Sequence, residues 1–355
     1  MGIVRLLLAI AVFNSHFPLT DLPVVDGHEA VLAFFAISGF YMALILDGTY
    51  SSARSFYMGR FLSLYPIFAF AMSVSVALLV TLDIHPMATL DNVKSILAHP
   101  AGFLSMVSTA ILPVGQELLF SFAITPENGL HFLTEAGRTG LWHSAPLIQA
   151  WSLSLETVFY ALAPLLVVMR TRTLAWLVGL SLCAKVLVVA GGFLDVVFLK
   201  RFFPIEFWLF GSGILAYRFY KTLPETPALS DSLIFAALVT IIAMVGEAPP
   251  EAAPFALPLA TLFSLPFVFR RFRDFSWDRV VGKVSYPFYL IHFTVIAIFE
   301  TTMEEPLGWD ILAVSLAAAV AVHALFAPGI GVLKQAVRLP LGDLPARARA
   351  RFRNP

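Results

Sequence analysis

The chain has 355 residues, of which 59% are hydrophobic and only 13% are charged, and its formal net charge is zero. Soluble domains carry about 25% charged residues, so this chain has too little polar surface to coat soluble domains, and its solvent must be the lipid bilayer. The zero net charge leaves no basic field for nucleic acid, and a single cysteine excludes an intramolecular disulfide and a cysteine-based metal site.

Ten apolar stretches predict membrane-spanning helices, because a span needs about 20 mostly apolar residues. No small-residue cleavage site follows the first stretch, so we interpret it as a retained span and not as a signal peptide. The sequence therefore predicts an all-α polytopic transmembrane helix bundle. The ten predicted spans are 3–18, 29–46, 61–82, 146–169, 174–194, 203–220, 229–247, 253–269, 281–299 and 311–333.

The distribution of lysine and arginine between these spans predicts their orientation. Basic residues concentrate at alternate ends of the spans, and by the positive-inside rule those ends are cytoplasmic. Ten crossings with both termini in the cytoplasm satisfy nearly all of this pattern, and Lys200 and Arg201 are the exception. Residues 1–335 then form a single transmembrane domain, and 336–355 form a basic cytoplasmic tail.

A further apolar stretch, 93–124, is interrupted by Pro100 and Pro113 and does not fit a simple span. Ten crossings with both termini inside require this stretch to cross the membrane an even number of times. We therefore predict a hairpin or a re-entrant segment there. The loop that follows, 125–145, is then external.

Arg5 and His16 are the first functional candidates, because ionisable side chains inside spans cost about 2.5–3.5 kcal/mol each and are rarely retained without a role. They are eleven residues apart, which is about 16 Å along a helix and about 20° from the same face. Arg5 would lie near the cytoplasmic surface, and His16 would lie deeper, where histidine can exchange a proton near neutral pH. A snorkelling arginine and an interfacial histidine are the alternative.

Glu156 is the second candidate, about ten residues into its predicted span. Tyr160 follows one turn later, and Trp151 lies near the outer end of the same span. A buried carboxylate needs a partner, so Glu156 either orients a histidine or holds helices together. The sequence leaves both interpretations open.

The third candidate is the cytoplasmic end of the third span, where Arg54 and Arg60 precede Tyr65. Arginine near a membrane surface usually sets topology, but its planar fork also suits phosphate recognition. The sequence contains no P-loop, no Gly-x-Ser-x-Gly elbow and no His-Glu-x-x-His motif. We therefore predict no metal site and no permanently bound cofactor.

Pairs of small residues mark places where helices can approach closely in lipid. Gly211 and Gly213 lie in a predicted span with no strand before them, so we interpret them as packing residues and not as a nucleotide fingerprint. Ser38 stands beside Gly39 in the second span, where close packing is also the simplest interpretation.

Five motifs follow one another along the chain. They are Arg5 with His16; Phe34-Phe35-Ala36-Ile37-Ser38-Gly39-Phe40; residues 60–66, which end in Tyr65-Pro66; Trp151-Ser152-Leu153 with Glu156 and Phe159-Tyr160; and residues 282–286 followed by Tyr289-Leu290-Ile291-His292. In this order they resemble the motifs of the acyltransferase-3 family of integral-membrane O-acyltransferases, and the likeness covers nearly the whole chain.

Two features depart from the family's pattern. Ser63 and Gly59 stand where the basic motif usually carries further arginines, which leaves Arg60 and Arg54 for contacts with a donor phosphate. Leu32 stands where an aspartate often precedes the Phe-Phe pair, so the resemblance implies no acid at that position.

The resemblance implies transfer of an acyl group from cytoplasmic acyl-coenzyme A to a hydroxyl, with acetyl-coenzyme A as the default donor substrate. His16 would be the general base, Arg5 would orient the donor or tune His16, and Glu156 would orient the imidazole or the acceptor. An acyl-enzyme on Ser38 or His16 is the alternative. The implied donor-binding residues are Arg60, Arg54 and Tyr65, and the implied acceptor-binding residues are Trp151, Tyr160, Ser38 and His292.

The implied acceptor is an envelope carbohydrate, a polysaccharide or a lipid-linked molecule, and the implied location is the bacterial inner membrane with both termini in the cytoplasm. Many family members carry a fused extracytoplasmic hydrolase-like domain, and we expect this chain to be the stand-alone form. Either the bundle completes the transfer itself, or a separate extracytoplasmic acyltransferase finishes it. No nucleic-acid partner is expected.

Two other classes of protein stay open at this point. A transporter or flippase of a lipid-linked sugar or small acid would also need ten spans and buried charges. Its two halves are often similar, and no repeat is visible here, although Pro100 and Pro113 could break a helix. A non-catalytic membrane assembly partner would not need Arg5 and His16 to face one cavity.

Overall fold

A computed structural model describes residues 1–50, 52–125, 129–133, 140–193 and 196–337. The described residues are mostly α-helical. The helices are α1 (Gly2–His16), α2 (Gly27–Gly48), α3 (Ala53–Leu82), α4 (Leu90–Leu97), α5 (Pro100–Ile111), α6 (Trp151–Val168), α7 (Thr171–Ala190), α8 (Val197–Lys200), α9 (Phe203–Tyr220), α10 (Leu229–Met244), α11 (Ala253–Phe272), α12 (Ser276–Thr302) and α13 (Gly308–Val337).

Seven of the described helices are long and apolar enough to cross a membrane, namely α2, α3, α6, α7, α11, α12 and α13. Helices α1 and α10 are shorter, with 15 and 16 residues, and α9 is not among the seven. Each predicted span overlaps one helix, so the all-α polytopic bundle is confirmed, while the count of ten crossings stays a prediction. The predicted tail, 336–355, lies almost entirely outside the described residues.

Helices α4 and α5 occupy most of the stretch 93–124 and turn at His99. Pro100 is in the first turn of α5, where its fixed φ and missing N–H suit a helix start. With 12 residues, α5 is about 18 Å long, which is well short of the roughly 30 Å hydrocarbon core. Helix α5 alone is therefore too short to cross the hydrocarbon core, and the predicted hairpin or re-entrant segment stays a prediction.

A small β-hairpin follows this helix pair and was not predicted. Strand β1 (Phe122–Thr125) pairs antiparallel with β2 (Gly129–Phe132), and Phe122 lies opposite Phe132. Strands of four residues show too little alternation to stand out in an apolar sequence. The segment before them is attached to α6, because the Gly115 N–H donates to the Ser154 hydroxyl at 2.7 Å.

Helices α2 and α9 cross at glycines. A Cβ on Gly39 would lie 2.0 Å from the Phe210 carbonyl oxygen, and a Cβ on Gly213 would lie 2.2 Å from the Ala36 carbonyl oxygen. No larger residue fits at either position, so these glycines let the two backbones touch. The predicted packing role of Gly213 is thus confirmed. Helix α2 is in the interior of the bundle, since 72% of its most apolar segment is buried.

Buried ion pairs, which the sequence did not reveal, hold neighbouring helices together. Lys185 on α7 donates to Glu206 on α9 at 2.5 Å, and the two side chains are 1% and 0% exposed. Arg270 on α11 binds both carboxylate oxygens of Asp231 on α10, at 2.8 and 2.6 Å. Buried charges need such partners, because an unpaired charge loses hydration without compensation.

Candidate active site

A cavity lies between α1, α2, α6 and α12. Its walls are partly apolar, but several hydroxyl and ionisable groups face it. The lining residues are Arg5, Val31, Phe34, Phe35, Ser152, Leu153, Glu156, Ser285, Tyr286 and Tyr289. The cavity therefore combines an apolar enclosure with a few convergent polar groups, which is typical of a ligand-binding site.

Glu156 is held by hydroxyl groups from two helices. Its carboxylate accepts one hydrogen bond from Ser38 on α2 and another from the Tyr160 hydroxyl at 3.0 Å. The positive charges of Arg5 and Arg60 also act favourably on this carboxylate. Of the two interpretations left open by the sequence, the contacts support the one in which Glu156 holds helices together, and they do so at the wall of the cavity.

Arg5 reaches the cavity because the start of α1 is docked on α12. The Asp278 carboxylate accepts hydrogen bonds from the backbone N–H groups of Gly2 at 2.8 Å and Ile3 at 2.9 Å. An anion at a helix N-terminus compensates the unpaired N–H groups and the helix dipole there. Asp278 is therefore a positioning residue that the sequence motifs did not include, and its only signal was an acid in the first turn of a span.

His16 does not line this cavity. It is the last residue of α1 and is exposed, with its ring centroid 4.2 Å from that of Phe293. The acid whose charge acts on it is Asp26, and no side-chain hydrogen bond of His16 to Glu156 exists among the described residues. Eleven residues of helix separate Arg5 from His16 by about 16 Å, as the sequence predicts, and of the two only Arg5 lines the cavity.

His292 lies between His16 and the cavity. Its ring centroid is 5.9 Å from that of His16 and 5.9 Å from that of Tyr289, which lines the cavity. Nδ1 is 2.8 Å from the Tyr289 carbonyl oxygen, so Nδ1 must carry the hydrogen of a neutral ring. The lone pair of Nε2 is buried and has no hydrogen-bond partner among the described residues.

The donor-binding candidates lie at the start of α3. Arg60 is half-buried, and its Nε has no partner among the described residues, whereas Arg54 is exposed. Tyr65 stacks on Phe61, with 4.6 Å between ring centroids. The Tyr286 hydroxyl donates to the Leu64 carbonyl oxygen at 3.0 Å, so this end of α3 is attached to the wall of the cavity.

Trp151 is buried at the start of α6, and its ring contacts one titratable and one charged side chain. His28 stacks on it, with 5.5 Å between ring centroids, and the Cζ atom of Arg201 is 4.9 Å from its ring centroid. The motifs of the sequence did not include Arg201. Its only signal was that Lys200 and Arg201 break the predicted charge distribution.

The remaining cavity contacts connect α6 to α12. The Tyr289 hydroxyl donates to the Gln149 carbonyl oxygen at 2.8 Å and lies 2.7 Å from the Ser152 hydroxyl. Gln149 in turn donates to the Leu290 carbonyl oxygen at 2.6 Å. No group of three His, Cys, Asp or Glu side chains that could hold a metal ion occurs in the described part of the chain.

Comparison with known proteins gives one result. A family model described as an acyltransferase domain, acyltransferase-3, matches residues 2–327, which is nearly the whole chain. No curated protein and no solved structure gives a significant match.

Proposed function

Because the chain belongs to the acyltransferase-3 family and is therefore a membrane-bound acyltransferase acting on hydroxyl groups, we propose that its donor is acyl-coenzyme A, with acetyl as the default acyl group. The proposed acceptor is an envelope carbohydrate, a polysaccharide or a lipid-linked molecule. The proposed location is the bacterial inner membrane, with both termini in the cytoplasm. Family membership favours this enzyme over the transporter and the assembly partner.

The observation that carries the proposal is a partly enclosed cavity with ionisable groups arranged along the bundle. Arg5 and Glu156 lie in the cavity, Arg60 lies beside it at the start of α3, and His16 and His292 lie toward the opposite end of α1. A donor entering at the arginines and an acceptor entering at the histidines would meet inside the bundle. The mostly apolar walls of the cavity would limit the access of water, which would otherwise hydrolyse the thioester.

In the proposed reaction, His16 takes the proton from the acceptor hydroxyl as its oxygen attacks the thioester carbonyl carbon. A new ester C–O bond forms, the C–S bond breaks, and coenzyme A leaves as a thiol after taking up a proton. Arg5 orients the donor, and Arg60 and Arg54 contact its phosphates, with Tyr65 beside them. A positioned base contributes about 10²–10⁴-fold, and holding both reactants in place contributes much of the rest.

The contacts of the other candidate residues suggest a separate role for each of them in this proposal. Ser38 and Tyr160 both donate to Glu156, so we assign them to holding that carboxylate at the cavity wall. His292, between His16 and Tyr289, is proposed to set the position of the His16 ring. Trp151, enclosed by His28 and Arg201, belongs to the acceptor end. An acyl-enzyme on Ser38 or His16 is the alternative chemistry.

The test is release of free thiol from acyl-coenzyme A by the purified protein in detergent, with and without crude envelope glycan. We expect acceptor-dependent release that falls about 10²–10⁴-fold in His16→Ala. The matched control is His323→Ala on the peripheral helix α13, which should stay close to the wild type.

Each outcome has a separate meaning. Activity that survives in His16→Ala would keep the enzyme and remove the proposed base. Absence of thiol release with acetyl, short-chain and long-chain acyl-coenzyme A would contradict the proposed donor. A hydroxylamine-sensitive acyl group on the protein would favour the acyl-enzyme over direct transfer.

A further inference from the structure

Arg201 lies between α8 and α9, at the acceptor end of the proposed site. Its Cζ atom is 3.9 Å from the ring centroid of Phe120 and 4.9 Å from that of Trp151. The two rings hold the guanidinium group in one place without neutralising it, since an aromatic face carries only a quadrupole. The residue as a whole is partly exposed, while the Nε atom of its guanidinium is buried.

No counter-ion accompanies this guanidinium in the described part of the chain. No carboxylate there lies within 4.0 Å of it, and its Nε is buried without a hydrogen-bond partner. The buried cations Lys185 and Arg270, in contrast, each contact a carboxylate.

The neighbouring acids that the structure describes do not supply the missing charge. The carboxyl groups of Glu29 and Glu206 experience the charge of Lys200, and Glu206 is already bound by Lys185. Burial lowers the pKa of Arg201 to about 10, so the guanidinium is still charged at neutral pH. A desolvated cation with no counter-ion among the described residues is unfavourable in the free protein, and a bound anion would compensate its charge.

Arg201 is also connected to the cavity. The charge of Arg201 and the hydroxyl of Tyr289 act on each other, and Tyr289 lines the cavity. Trp151, under the guanidinium, packs edge-on against Phe35, which is another lining residue. A group bound at Arg201 would therefore lie at the mouth of the space in which acyl transfer is proposed to occur.

We propose that Arg201 binds an anionic group of the acceptor, a carboxylate or a phosphate, and so selects acidic acceptors over neutral ones. The proposal rests on the proposed function only in assuming that the acceptor enters at this end. The planar guanidinium matches two oxygens of either anion, and Phe120 and Trp151 orient its plane before binding.

The test is thermal unfolding of the purified full-length protein with three probes: methyl glucoside, methyl glucuronide and glucose 1-phosphate. The first two differ by a single carboxylate, and the third supplies a phosphate. We expect one or both anionic probes to raise the midpoint of unfolding of the wild type and methyl glucoside to leave it unchanged. The comparison of methyl glucuronide with glucose 1-phosphate distinguishes the two sources of the anion.

Variants separate binding from folding. Arg201→Met keeps the length of the side chain against both rings, so it should fold, unfold at a higher midpoint than the wild type without probe, and bind the anionic probe at least tenfold more weakly. Arg201→Lys keeps the charge but loses the planar guanidinium that can bind two oxygens, so its affinity for the anionic probe should be intermediate. Arg172→Met, an exposed arginine at the start of α7, is the matched control and should change neither quantity.

Equal shifts from neutral and anionic probes, no shift from any probe, or undiminished binding in Arg201→Met would each overturn the proposal. A lower midpoint in Arg201→Met together with unaltered binding would make Arg201 a packing residue. Thiol release is measured on the same preparations. Wild-type release without selective anion binding would contradict only this inference, and anion binding without any release would contradict only the proposed donor.

Discussion

Lys185 and Arg201 both act electrostatically on His28, yet the surroundings of the two cations differ. Lys185 on α7 has its counter-ion, Glu206 on α9, at 2.5 Å, and both side chains are almost completely buried. Arg201, between α8 and α9, has two aromatic rings around it and no counter-ion among the described residues.

The difference separates two uses of charge inside a membrane protein. A cation with a counter-ion in the same protein holds two helices together. Removing either partner leaves the other charge buried and uncompensated, which destabilises the protein. A cation without one is a feature for which helix packing gives no reason, so a ligand is the natural partner. The following measurements test whether this division by counter-ions holds elsewhere in the bundle.

The largest effect on stability is expected from Glu206→Gln, which leaves the ammonium group of Lys185 buried and unpaired. Breaking a buried ion pair from one side typically lowers the free energy of unfolding by about 3–5 kcal/mol. The measurement is unfolding in SDS or by heat after purification in detergent. The double variant Lys185→Met with Glu206→Leu removes both charges and should recover most of the loss. A Glu206→Gln protein as stable as the wild type would show that the counter-ion of Lys185 is not needed for stability, and would contradict the difference drawn between Lys185 and Arg201.

A smaller effect is expected at Glu156, a carboxylate compensated by hydroxyl groups and not by a contacting cation. Ser38→Ala removes one of its two hydroxyl donors, and hydrogen bonds to charged groups contribute about 1.5–3 kcal/mol each. We expect a loss of stability in that range, measured by the same unfolding assay. Ser285→Ala is the control, because the Ser285 hydroxyl donates only to the Gly282 carbonyl of its own helix. Equal losses in the two variants would mean that the contact with Glu156 contributes nothing.

The smallest effect is a pH dependence at His85, which is outside the spans and has both ring nitrogens in use. Nδ1 accepts from the Met87 and Ala88 N–H groups, at 3.1 and 2.9 Å, and Nε2 is 3.0 Å from the Ala145 carbonyl oxygen. Burial lowers the pKa of His85 below its ordinary value of 6.5.

Because the neutral form is favoured in the folded protein, its contribution to stability is present above the ordinary pKa of 6.5 and is lost as the pH falls toward the lowered pKa. We expect the wild type to lose more thermal stability than His85→Gln between pH 8 and pH 5.5. The same loss in both proteins would assign the pH dependence to other groups.

Much of the fold could be read from hydropathy, because a span needs a local run of apolar residues and the lipid enforces it. The predicted spans 29–46 and 281–299 lie within α2 and α12. The β-hairpin at 122–132 was missed, since four-residue strands leave little local signal. The sequence left a hairpin and a re-entrant segment open at 93–124, and it did not reveal that the helices there, α4 and α5, have only 8 and 12 residues.

The candidate site was predictable where its residues belong to motifs and not where they depend on contacts. The sequence singled out Arg5, His16 and Glu156, and the tertiary structure brings Arg5 and Glu156 to one cavity that His16 does not line. It did not distinguish Glu156 as a partner of Ser38 from Glu156 as a partner of a histidine, because 118 residues separate the two partners.

The sequence by itself determined that this protein is a polytopic helical membrane protein of the acyltransferase-3 family. Those properties follow from local apolar runs and from short motifs, which need no knowledge of the neighbouring helices. Only the tertiary structure decided which charges meet: Lys185 has a counter-ion, Arg201 has none among the described residues, and His16 is apart from the cavity. Electrostatic compensation depends on distances of a few ångströms between helices that are remote in sequence, so no periodicity along the chain encodes it.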